Sequence, residues 1–181
     1  MLIWILIIAV SVLLDQVSKL LVYGFLDREE SLYLIKGVLR FTYVENNGAA
    51  FGMLGDHRWV FMILSTVGIV AVFAYLWKFR PSSKLACTAL AFIIGGGIGN
   101  MIDRVRLGYV IDFIDFCAFP KVWMWVFNIA DSFVCVGAGM LIFYLILDII
   151  KEAKQEKLKK AGASAAESSD NTPEQGDGSD E

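Results

Sequence analysis

The chain has 181 residues, one domain's length, and 57% of them are apolar. A mean hydropathy of +0.60 is too high for an ordinary soluble domain. The formal charge of −3 is unevenly spread, because residues 167–181 are acidic and the apolar part is not, and no basic stripe points to nucleic acid.

Residues 1–14 are apolar except for Ser11. No basic segment precedes them, and the apolar pattern resumes after 15–19, so a first membrane span is expected rather than the core of a signal peptide. Asp15 and Lys19 stand at i and i+4 on one face of that helix, where they can pair. The pair is read either as self-neutralising near the interface or as bracing a buried polar site. Residues 27–58 are too polar to span. Alternation over 39–44 predicts a half-buried strand, and residues 32–35, across Lys36-Gly37, predict its hairpin partner. The run from Asn46 through Gly48, Ala49 and Ala50 to Gly52 has two readings: a plain loop, or small residues that let backbone approach another group closely.

Residues 59–79 predict a second span about 30 Å long. Trp59, Tyr75 and Trp77 fall near its ends, where aromatic belts lie. Lys78, Arg80, Pro81 and Lys84 make a short basic turn, and residues 85–102 predict a third span. Its cluster Gly95, Gly96, Gly97 and Gly99 follows no strand and lacks a P-loop lysine, so close helix packing through Gly95 and Gly99 is expected instead of nucleotide binding. Asn100, Asp103 and Arg104 share a face. Residues 108–121 read as a short connection holding Asp112 and Asp115. Residues 122–150 predict a fourth span that opens on Trp123 and Trp125, with Asn128, Asp131 and Ser132 on one face. Asp131 would then lie roughly 12 Å along the axis, below the interface. Residues 151–160 carry five lysines, and residues 161–181 have a disordered composition.

The fold class that follows is an all-α polytopic membrane protein, with four transmembrane helices and a small extracytoplasmic β-hairpin or cradle. Residues 1–150 form the membrane domain, with a hairpin loop at about 27–58, and residues 151–181 form a tail. Lysine density near 78–84 and 151–160 sets both termini in the cytoplasm.

An Asp near a helix centre costs roughly 2.5–3.5 kcal/mol on insertion scales, so Asp103, Asp112, Asp115 and Asp131 call for a reason. Cys87, Cys117 and Cys135 lack CxxC spacing and read as buried thiols. His57 is the sole histidine, and HExxH is absent, so no metal is expected. Ser18 and Lys19 are helix neighbours that do not face each other, and no GxSxG elbow surrounds a serine. Two carboxylates remain. An aspartyl protease pair shares one proton, activates water with its ionised member and polarises the scissile carbonyl with the other. Each Asp taken singly fits a salt bridge or a helix cap equally well.

Five stretches in order resemble one family, the bacterial lipoprotein signal peptidase, or signal peptidase II. They are DQVSK at 15–19, NNGAAFG at 46–52, GNMIDR at 99–104, VIDF at 110–113 and FNIADS at 127–132. The resemblance covers roughly residues 1–150 and leaves the tail unexplained. It implies that Asp112 and Asp131 are a catalytic dyad. It further implies that Asp15, Lys19, Asn46, Gly48, Asn100, Arg104 and Asn128 support the dyad or bind substrate. The implied reaction is cleavage of diacylglyceryl-modified prolipoproteins just before the lipidated cysteine, in the cell inner membrane, without metal or cofactor and with sensitivity to globomycin. The implied partners are the prolipoprotein substrates, membrane lipid and globomycin-type inhibitors, with no nucleic acid; a monomer is the expectation. The physical reading lets Asn128 orient Asp131 or the substrate, and lets Arg104 hold the outer loops through Asp103, Asp115 or carbonyls. Two rivals are a proton-coupled carrier with Asp131 as relay and an inactive scaffold. One difficulty stands at this level: Asp112 belongs at the interface and Asp131 deeper, so the third helix or its following turn must dip back for them to meet.

Overall fold

Long apolar runs in lipid must satisfy their backbone internally, which helices do. The computed structural model, which describes residues 1–48, 58–79, 81, 83–119 and 125–170, has four such helices: α1 (Leu2–Phe25), α2 (Arg58–Phe79), α3 (Lys84–Arg106) and α4 (Ile129–Asp170). Each contains a segment long and apolar enough to cross a membrane. Large apolar side chains such as Leu6, Leu13, Ile63, Val67, Ile142 and Ile146 stand exposed on them, as a lipid-facing surface requires. The chain divides into two compact units, Met1–Leu141 and Ile142–Glu181, and everything that positions the site lies in the first.

Among the described residues the connections carry four strands, β1 (Leu32–Ile35), β2 (Leu39–Asn46), β3 (Val110–Phe116) and β4 (Val126–Phe127). They form one antiparallel sheet in the order β1-β2-β3-β4. The expected hairpin is β1–β2. The expected plain connection after α3 is instead β3 and β4, and β3 pairs with β2 over Leu39↔Phe116 to Asn46↔Val110. Gly108, at φ +89°, takes the left-handed conformation just past the end of α3 and turns the chain into β3. Ile111 and Phe113 on the sheet pack with Val22 of α1 and Tyr43 of β2.

Three sequence readings need correction. The fourth membrane helix starts at Ile129, not at 122, because Val126 and Phe127 are consumed in pairing with Asp115 and Ile114. Asp131 is therefore in the first turn of α4, not 12 Å along it. The helix itself continues to Asp170, and Ala161, Ala163, Ala165, Ala166 and Glu167 in its last stretch are good helix formers. Of the three cysteines only Cys87 is buried, with Cys117 half-buried and Cys135 exposed. The expectations for Ala49, Ala50, Gly52, His57, Arg80, Lys121, Trp123 and 171–181 lie outside the described residues.

The glycines of α3 are contact points. A Cβ on Gly95 would meet Ser11 of α1, one on Gly99 would meet the Asp15 carboxyl, and one on Gly96 would meet the Ala130 carbonyl of α4. This close approach lets α1 and α4 reach α3 at one level, and the polar residues gather there.

Candidate active site

Asn128 immediately precedes α4 and caps it. Its Oδ1 accepts from the Asp131 N–H at 2.9 Å, and its own N–H donates to Asp131 Oδ2 at 3.3 Å. This is a reciprocal capping box with Asn in the capping position and Asp three residues on. It fixes the Asp131 side chain against the helix end. The second carboxylate oxygen, Oδ1, accepts from Asn100 Nδ2 at 2.7 Å.

Asp112 arrives from the sheet. Strand alternation turns Val110 and Asp112 to one face, and Ile111 and Phe113 to the packed one. Asn128 Nδ2 donates to Asp112 Oδ1 at 2.6 Å, and Asn46 Nδ2 of β2 donates to Oδ2 at 2.8 Å. Asn46 is itself steadied by the Gly48 N–H, which donates to its Oδ1 at 3.1 Å. The single side chain of Asn128, fully buried, thus touches both acids. Asp112 and Asp131 line one pocket of about 320 Å³ with Asn46, Gly48, Asn100 and Arg104. Burial pushes the Asp112 carboxyl up to about 7; hydrogen bonds from Asn46 and Asn128 oppose the rise, and the charge on Asp131 adds to it.

Behind the pocket lies a second polar cluster, between α1 and α3. Lys19 Nζ reaches Asp15 Oδ2 at 2.9 Å, Asp103 Oδ2 at 2.8 Å and Asn100 Oδ1 at 2.9 Å. Those three acceptors use the ammonium's three donors. Gln16 Nε2 joins the two acids, at 3.2 Å to Asp15 Oδ2 and 2.9 Å to Asp103 Oδ1. Asp15, Lys19 and Asp103 are 0%, 2% and 4% exposed. The brace reading of Asp15–Lys19 is the one the geometry matches.

All nine residues singled out from the sequence fall in these two adjoining clusters. Arg104 is among them. Asp103 is taken by Lys19, and Asp115 pairs with Arg40 of β2 at 2.6 Å on the other face of the strand; Arg104 lines the pocket of Asp112 and Asp131 and, among the described residues, donates to the Asn100 carbonyl of its own helix at 3.4 Å. Sequence reasoning left Gln16 and Asp103 without a place in the site. Their signal was there: Asp103 is one turn from Asn100, and Gln16 is next to Asp15.

The comparisons with known proteins fit this picture. A family profile described as Signal peptidase (SPase) II matches residues 7–147. The lipoprotein signal peptidase of Caldanaerobacter subterraneus is 49% identical over 142 residues, 78% of this chain and 94% of that one. The Halothermothrix orenii protein of the same name is 44% identical over 139 residues, covering 77% and 92%. A solved structure titled as a bacterial membrane enzyme obtained by the in meso method superposes with a TM-score of 0.74 at 33% identity, covering 81% of this chain and 88% of the other. With a matching profile over most of its length, relatives of near-equal extent and a shared fold, this multi-pass membrane protein belongs to the signal peptidase II family.

Proposed function

We propose that the protein is a membrane aspartyl endopeptidase that removes signal peptides from diacylglyceryl-modified prolipoproteins, cutting just before the lipidated cysteine. The observation that carries this reading is that Asn128 bridges two carboxyls lining one pocket, its Nδ2 donating to Asp112 Oδ1 and its backbone N–H to Asp131 Oδ2. Asp112, raised by burial, holds the shared proton, and Asp131 accepts a proton from water. The resulting hydroxyl attacks the scissile carbonyl carbon while Asp112 donates to the carbonyl oxygen. As the gem-diol intermediate collapses, the proton on Asp131 passes to the leaving amine, the C–N bond breaks, and Asp112 takes back a proton from one of the two hydroxyls, which leaves the carboxylic acid. Arg104 presents a guanidinium to the same pocket for substrate carbonyls. No step calls for a metal or cofactor.

The sheet is built from the α1–α2 and α3–α4 connections, which share a side in any four-span arrangement. The lysine-dense 151–160 segment and the 78–84 turn take the opposite, cytoplasmic side of the inner membrane. The dyad then sits near the outer face, where acyl chains of the substrate stay in lipid while the peptide enters the pocket, and where a globomycin-type cyclic peptide would compete.

The deciding experiment incubates purified protein with a diacylglyceryl-modified precursor. Wild type should cleave it, with inhibition by globomycin, and Asp112→Asn and Asp131→Asn should each lose cleavage while still inserting into membranes. Processing by either variant at the wild-type rate refutes the dyad.

A further inference from the structure

The buried cluster on α1 and α3 does more than join two helices. An ion triad in this position is expensive to bury, and a well-packed apolar contact would hold helices together as well. Its acids, moreover, reach away from their own helices. Asp15 Oδ1 accepts from the Ala130 N–H at 2.9 Å, and Asp103 Oδ2 accepts from the Ile111 N–H at 3.2 Å. Ala130 immediately precedes Asp131, and Ile111 immediately precedes Asp112. Each triad acid therefore holds the backbone one Cα step, about 3.8 Å, from one dyad acid. The link is completed through Lys19, whose third donor goes to Asn100, the residue that donates to Asp131 Oδ1.

We infer that the Asp15–Lys19–Asp103 triad is a double peptide clamp that sets the spacing of the catalytic pair, with Asp103 the positioning residue for Asp112 and Asp15 the positioning residue for Asp131. Lys19 joins the two halves, since it bonds both acids at 2.8–2.9 Å and a shift in one anchor is felt by the other. Gln16, donating to Asp15, Asp103 and the Gly99 carbonyl, keeps the two carboxyls in register across the helix pair. None of these four residues lines the dyad pocket, so they act through backbone and not on substrate.

The inference rests on the dyad reading, and its test keeps the two apart. Full-length wild type, Asp103→Ala, Asp103→Asn and Asp15→Asn are purified and assayed on a diacylglyceryl-modified precursor, with Gly68→Ala as a control for handling. Asp103→Ala, which loses the acceptor for Ile111, should lower kcat by about 100-fold, with KM within about threefold of wild type. Asp103→Asn keeps an oxygen for that N–H and should recover most of the loss. In amide NMR spectra of the same samples, Asp103→Asn should move the Ile111 resonance and leave Ala130 in place, and Asp15→Asn should do the reverse.

Wild-type kcat in Asp103→Ala overturns the clamp, as does a loss that falls on KM alone. An Asn variant as inactive as the Ala variant also overturns it. Should Asp103→Ala not fold, the Asn pair and the two amide resonances decide by the same criteria, and joint movement of both resonances in either variant counts against separate anchors. Failure of wild type to cut the precursor sinks the dyad reading instead, while the amide assignments still report on the clamp.

Discussion

Asn128 shows how much one side chain settles here. Replacing it with Ala leaves Asp112 Oδ1 short of a donor, removes the cap on the Asp131 N–H and frees Asn100 Oδ1 of one partner. A lost cap costs about 1 kcal/mol, and an unsatisfied buried group about 1–3 kcal/mol. Asn128→Ala should therefore lower the thermal midpoint and also reduce kcat by about 100-fold, since both acids lose their common reference; kinetics and thermal unfolding in detergent read the two effects together. The raised Asp112 carboxyl makes a second prediction. Below about pH 7 it keeps its proton, and above about pH 7 it loses it, so kcat/KM should fall as pH rises through that region. The bond from Asn46 favours the ionised form; Asn46→Ala should thus move the basic limb to higher pH. A limb that shifts downward contradicts the assignment. The same group enters stability with a definite sign. The folded state holds a proton that an unfolded carboxyl, at its ordinary value of 3.8, releases. Its contribution is complete below about pH 4 and is lost as pH climbs toward 7.

At the scale of elements, the meeting of the two acids is a consequence of β4. Two residues of strand, Val126 and Phe127, bind β3 and deliver the chain straight into the cap of α4. Asp131 is held at the helix start and Asp112 at mid-strand, both lining one pocket. Helix packing supplies the other half. Because a Cβ on Gly99 would press on the Asp15 carboxyl, Gly99→Val should push α1 from α3, destabilise by about 1–3 kcal/mol and lower activity with it. Gly68→Ala, where nothing stands within 4 Å, should leave both unchanged. Thermal midpoints of the two variants, measured side by side, check the contrast.

Across the whole molecule, the α1–α2 and α3–α4 connections are sewn into one sheet. That sheet ties the Asn46 segment to Asp112 and makes the pocket a joint product of distant parts of the chain. Among the described residues, none that lines the pocket lies beyond Cys135. Removing residues 161–181 should accordingly leave kcat/KM of purified protein unchanged; a large loss would mean the tail takes part in the site.

The sequence by itself determined four spans, the β1–β2 hairpin, the glycine contact surface of α3 and the identities of the polar residues that gather. Hydropathy and periodicity are local properties, and charges in lipid are conspicuous because burying them is costly. Only the tertiary structure decided how Asp112 and Asp131 meet, that Arg104 faces the pocket while Asp103 turns to Lys19, and that Asp15 and Asp103 hold peptides of other elements. A two-residue strand such as Val126–Phe127 has no period of its own, and its pairing is created by a partner strand from elsewhere in the chain. Nor does helical spacing tell which of Asn100, Asp103 and Arg104 turns to which neighbour until that neighbour is in place.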